Sequence, residues 1–142
     1  MTVVVDASVA LNWVIPQALT ERSLLLWDRW QDAGERLVAP PLFAAEVTNV
    51  LRVYVRRGPL TPAEAADALD VLLATVAGEE RASIYPRALD LSNHYALPSA
   101  YDAVYLALAE SLACEMWTAD RKFAVAVGRT GRVRLLTDDA AG

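Results

Sequence analysis

Short apolar runs that do not alternate with polar residues recur along this chain, with helical stretches between them. Residues 2–5, with Val3-Val4-Val5, are one, Leu37-Val38-Ala39 another and Glu115-Met116-Trp117-Thr118 a third; a further run spans 133–136, and residues 81–85 read as one more. A strand exposed on one face alternates apolar and polar side chains, whereas a strand covered on both faces reads as an unbroken run. Between the runs, apolar residues return at helical spacing over about 7–13, 20–33, 42–57, 61–77, 86–95, 99–113 and 121–128. This alternation predicts an α/β chain of three layers, with a central, mainly parallel sheet of about five short strands flanked by helices. Over 142 residues there is no internal repeat and no linker-like tract, so 1–142 is expected to form one domain.

The punctuation agrees. Pro16 breaks the first helix, and Thr20 reads as the cap of the second. Gly58-Pro59 stops the third, and Thr61-Pro62-x-Glu64 has the form of a capping box with Pro at the first helical position. Pro86 opens another helix, and Pro98 with Ser99 marks the start of the next.

Four acids stand where acids are costly. Asp6 and Asp120 end apolar strands, and in an open α/β sheet that edge is where ligands bind. Glu46 lies in Phe43-Ala44-Ala45-Glu46-Val47, with no Lys or Arg three or four residues away, and Asp102 is placed likewise in the first turn of its helix. Each has an ordinary reading when taken singly: Ser99-x-x-Asp102 fits a capping box, and Asp120 can cap the helix after it. Together they need a partner, a proton or a metal, and hard divalent cations with oxygen ligands explain all four.

Composition removes several alternatives. One His and one Cys exclude a zinc cluster of Cys and His type. A Ser-His-Asp triad would have to use His94, whose polar Ser92-Asn93-His94 setting does not suit it. Cys114, at an apolar helix end, reads as a buried small residue. The net charge of −5 argues against a simple basic nucleic-acid binder, although the four acids carry most of it. No run approaches the roughly 18 apolar residues of a membrane span. The chain enters Val3-Val4-Val5 without a basic segment or cleavage site, so a cytoplasmic protein with no membrane partner is expected.

Val3-Val4-Val5-Asp6-Ala7-Ser8 and Glu46-Val47-x-Asn49-Val50-Leu51 resemble the first two motifs of the PIN-domain ribonucleases. Tyr101-Asp102-Ala103-x-Tyr105-Leu106-Ala107-Leu108-Ala109-Glu110 and Trp117-Thr118-Ala119-Asp120-Arg121-Lys122-Phe123 resemble the last two. Within that family the pattern is similar to the VapC toxins of type II toxin–antitoxin pairs, over essentially the whole chain. The resemblance implies a Mg²⁺- or Mn²⁺-dependent endoribonuclease in which Asp6, Glu46, Asp102 and Asp120 are the catalytic and metal-binding residues, with one or two ions. Ser8, Asn49 and Thr118 would support them. Phosphate contacts would fall to Arg52, Arg56 and Arg57 at one helix end and to Arg121 and Lys122. A VapB-like antitoxin and a homodimer are the implied partners beside RNA. Helix 20–33, with Leu24, Trp27 and Trp30, is either core or an antitoxin groove. Two alternatives stand beside this reading: a catalytically silent PIN-like binding module, and a metal-dependent phosphatase or receiver-type α/β protein using Asp6.

Overall fold

The computed structural model describes residues 1–137; the last five residues of the expected domain lie outside the described residues. The strands are β1 (Thr2–Val5), β2 (Arg36–Ala39), β3 (Ala77–Gly78), β4 (Glu115–Thr118) and β5 (Val133–Leu135). The helices are α1 (Ala7–Val14), α2 (Thr20–Asp32), α3 (Leu42–Arg57), α4 (Pro62–Thr75), α5 (Ile84–His94), α6 (Tyr101–Ser111) and α7 (Arg121–Ala126), with a 3-10 turn at Gly128–Thr130. Every strand pair is parallel, and the order is β3-β2-β1-β4-β5. The expected parallel α/β sandwich is therefore the fold.

Burial explains why the strands read as unbroken runs. Val4, Val5, Val38, Ala39 and Met116 are wholly buried, because helices cover both faces of the sheet. α6 is covered nearly all round: every residue from Ala103 to Ala109 is buried, between α5 on one side and β1 and β4 on the other. It ends in a Schellman turn, with the Cys114 N–H on the Ala109 carbonyl and the Ala113 N–H on that of Glu110, which puts Ala113 at φ 53°. α2 closes the other layer through indoles: Trp13 meets Trp27 at 4.9 Å between ring centres, and Trp30 meets Trp117 at 6.0 Å. Among the described residues no helix is long and apolar enough to cross a membrane.

Three local expectations fail, each for a physical reason. Residues 81–85 are not a strand: the third pairing segment is Ala77–Gly78, and α5 already begins at Ile84. Ile84 looks β-forming but is buried from a helix, and Pro86 fits the third helical position because the first four N–H groups of a helix have no internal acceptor. Thr20 is the first residue of α2, not its cap; its hydroxyl donates to the Ile15 carbonyl and accepts from the Gln17 N–H. Ser99 does not cap α6, whose N-cap is Ala100 without a side-chain bond. The capping box at Thr61 and Glu64 forms in both directions.

The sheet order sets where chemistry can sit. From the central β1 the chain runs outward to β2 and β3, then returns to place β4 on β1's other side. The switch point thus falls between the C-terminal ends of β1 and β4. Asp6 follows one of these strands, and Asp120 follows Thr118 and Ala119 after the other.

Candidate functional site

Asp6 is the anchor of the site. Its backbone turns from strand to helix as the N-cap of α1, its carbonyl accepting from the Val9 and Ala10 N–H groups. Its carboxyl makes no cap bond. Instead Oδ2 accepts from Ser8 Oγ at 2.5 Å and from Thr118 Oγ1 at 3.0 Å. Those two hydroxyls tie β1 to β4, because Ser8 Oγ also accepts from the Ala119 N–H and Thr118 Oγ1 from the Asp120 N–H. Asn12, buried on α1, donates to the Ser8 carbonyl at 2.7 Å. Ser8 and Thr118 are thus both hydroxyl donors to the Asp6 carboxyl. Burial pushes the Asp6 carboxyl above the usual range, against the lowering effect of its two hydroxyl donors.

Glu46 arrives on α3, which follows β2, the strand beside β1. α3 begins just past the C-terminal end of β2, so its second turn hangs over the same edge. Glu46 Oε1 accepts from the Tyr105 hydroxyl at 3.0 Å. Desolvation raises its pKa, the tyrosine bond lowers it, and the Asp6 charge raises it again. Tyr105 is the residue that the sequence conceals: it belongs to the apolar stripe of α6 and is wholly buried. The available signal is chemical, since a buried tyrosine hydroxyl needs a polar partner.

Asp102 joins the two halves. α6 leads into the parallel strand β4, so its N-terminus returns to the C-terminal edge of the sheet and its first turn carries Asp102 there. Its pKa is pushed up to about 7, first by desolvation and then by the charges of Asp6, Asp120 and Glu46, with Asp120 also close enough to couple by hydrogen bonding. The other three acids thus share one electrostatic neighbourhood with Asp102. Asp120 caps α7, its Oδ1 accepting from the Phe123 N–H at 3.1 Å. Capping uses one of its oxygens, so the same carboxyl can still couple to Asp102.

Among the described residues, no ion pair offsets these charges. The ion pairs of the described residues engage Glu35, Glu79, Glu110 and Glu115, none of the four acids. Among the described residues, no three His, Cys, Asp or Glu side chains are gathered tightly enough to hold an ion by themselves. Uncompensated oxygen donors around a raised carboxyl fit a hard divalent cation, which keeps several waters and needs few direct protein ligands. Asn49, one turn beyond Glu46, is exposed and has no bond to the cluster. Arg52, Arg56, Arg57, Arg121 and Lys122 are all exposed. A cleft of about 330 Å³ opens beside the network, between Ser8, Leu11, Asn12, Val50, Tyr54 and Ala119. A larger cavity, about 620 Å³, lies at the opposite, N-terminal edge of the sheet near Met1, Glu35 and Arg132, away from all four acids. Cys114 borders that cavity, half-buried, with burial holding its thiol protonated.

Known proteins are similar to this chain in sequence and in fold. Residues 3–128 match the family model of the PIN domain. The chain is 31% identical over 127 residues to Ribonuclease VapC3 of Pyrobaculum aerophilum, covering 87% of this chain and 93% of that protein. It is 32% identical over 119 residues to Ribonuclease VapC9 of Mycobacterium tuberculosis, covering 83% and 85%. The crystal structure of PAE2754 from Pyrobaculum aerophilum superposes with a TM-score of 0.68 at 23% identity, covering 89% of this chain and 84% of that one, a likeness of fold.

Proposed function

The chain belongs to the PIN-domain family, and we propose that it is a metal-dependent endoribonuclease, the toxin of a VapBC-type toxin–antitoxin pair acting on RNA in the cytoplasm. One observation carries this reading: four carboxylates from β1, α3, α6 and the β4–α7 turn converge electrostatically at the sheet's switch point, with no cation paired to them among the described residues. A silent binding module has no use for such uncompensated charge. A phosphatase or receiver-type reading uses Asp6 alone and leaves Glu46 without a role.

Asp6, Glu46, Asp102 and Asp120 would hold Mg²⁺ or Mn²⁺ as one or two ions. When bound, such an ion supplies positive charge at the phosphodiester and lowers the pKa of water. The chain's own residues supply geometry and protons. Ser8 and Thr118 fix the Asp6 carboxyl by both donating to one of its oxygens. Without metal, Asp102 holds a proton up to about pH 7, and it would release that proton when a cation binds. Arg121 and Lys122, next to Asp120, and Arg52 and Arg56 on α3 would meet the RNA backbone. The cleft beside Ser8 leaves room for substrate next to the acids.

The partner reading is sharpened by where α2 points. Trp30 is 7% exposed and Trp27 stacks on Trp13, so the indoles face inward. Leu24 and Leu25 lie on the outer side and are the residues of this helix left for an antitoxin. A homodimer is the expected assembly. The decisive assay is cleavage of a structured RNA with Mn²⁺ or Mg²⁺ against an EDTA control. Wild-type protein should cleave only with metal, and Asp102→Asn should not cleave at all. Full cleavage in EDTA would overturn the reading.

A further inference from the structure

We propose that Tyr105 is a positioning residue for Glu46: its hydroxyl holds Oε1 and thereby turns the second carboxylate oxygen toward the acid cluster. The inference rests on the four-acid reading above. α3 packs chiefly on α4 and α1, whereas α6 packs on α5, β1 and β4. Glu46 therefore sits on a helix that meets the rest of the site chiefly through α1. The Tyr105–Glu46 bond, at 3.0 Å across 59 residues of sequence, ties that helix to the one carrying Asp102. Asp102 and Tyr105 are three residues apart on α6, so one rigid, buried helix sets the position of one acid and the aim of another.

The chemistry of the pair allows only one direction. A carboxylate oxygen can only accept and a phenol carries its proton at neutral pH, so Tyr105 donates. A carboxylate with two free oxygens rotates about its terminal bond, whose torsion is broad. A donor fixed to one oxygen removes that freedom, as outer partners of metal ligands do. The ring of Tyr105 belongs to the core; its hydroxyl belongs to the site.

Tyr105→Phe keeps the ring and removes only the donor. The readout is the rise in Tm on Mn²⁺ titration, measured beside Tm in EDTA and the Mn²⁺ requirement of RNA cleavage. In Tyr105→Phe the Mn²⁺ concentration giving half the Tm rise should increase about tenfold, the cleavage requirement should move in parallel, and excess Mn²⁺ should restore cleavage. In the Glu46→Gln background, the same tyrosine change should leave the metal response where Glu46→Gln alone puts it. A wild-type half-point in Tyr105→Phe, with Glu46→Gln still weakening the response, overturns the role of Tyr105 and leaves the four-acid site standing. No metal response in the wild-type protein overturns both. If Tyr105→Phe fails to fold, Tyr105→Phe with Glu46→Met should fold, because no buried partner is then left unpaired; failure of that pair assigns the hydroxyl to the core and overturns the proposal.

Discussion

Asp102 shows how far a single residue's chemistry can be read before any ion is bound. In the unfolded chain it titrates near the ordinary carboxylate value of about 4, and in the fold near 7. Between those values the folded state binds the extra proton, so stability of the metal-free protein falls as pH rises through the interval and has lost this contribution above it. The raised Asp6 and Glu46 carboxyls push in the same direction. Thermal melts in EDTA from pH 5 to pH 8 should therefore show Tm declining by a few degrees, with a shallower decline in Asp102→Asn. A flat or rising wild-type curve would contradict a raised Asp102. With saturating Mn²⁺ the trend should reverse, because the proton then competes with the cation. The acids themselves were legible in the sequence as charges stranded in apolar surroundings. Tyr105 was not, since its apolar body matches the helix stripe and its hydroxyl finds its acceptor 59 residues away.

The elements follow the same division. β1 and β4 could be read within a residue because strands buried on both faces leave an unbroken apolar signature. β3 could not, being Ala77–Gly78 at the exposed edge, defined by backbone pairing to Val38 and Ala39 with no side-chain pattern behind it. α2 was ambiguous for another reason: periodicity says which residues share a face, but not which face meets the core. The indole contacts decide it. Trp30→Ala would empty a packed position between Trp13 and Trp117, and a buried Trp→Ala change costs about 3–5 kcal/mol. Urea titration of the variant should show a loss of that size. Affinity for a co-expressed antitoxin, measured on the fraction that stays folded, should change less in Trp30→Ala than in Leu25→Glu. The reverse order would make the indole face, rather than the outer leucines, the docking surface.

At the scale of the whole molecule, the site exists only when the chain has closed. Its acids come from the first strand, the third helix, the sixth helix and the turn after the fourth strand, and only the order β3-β2-β1-β4-β5 brings them to one edge. Motif spacing in the sequence could name those residues; the strand order that unites them came from long-range pairing, which local pattern does not encode. A site assembled in this way should fail as a unit. Glu46→Gln and Asp120→Asn each keep side-chain shape and some hydrogen bonding while removing one charge. Each alone should lower single-turnover RNA cleavage by more than about 100-fold, and the double variant should lose little beyond the worse single one, because groups acting together on one centre are not additive. Melting curves in EDTA should show each variant folded and no less stable than wild type, since removing one of four repelling charges relieves the metal-free protein. Losses that multiply in the double variant would mean that Glu46 and Asp120 act independently, and the shared centre at the switch point would have to be abandoned.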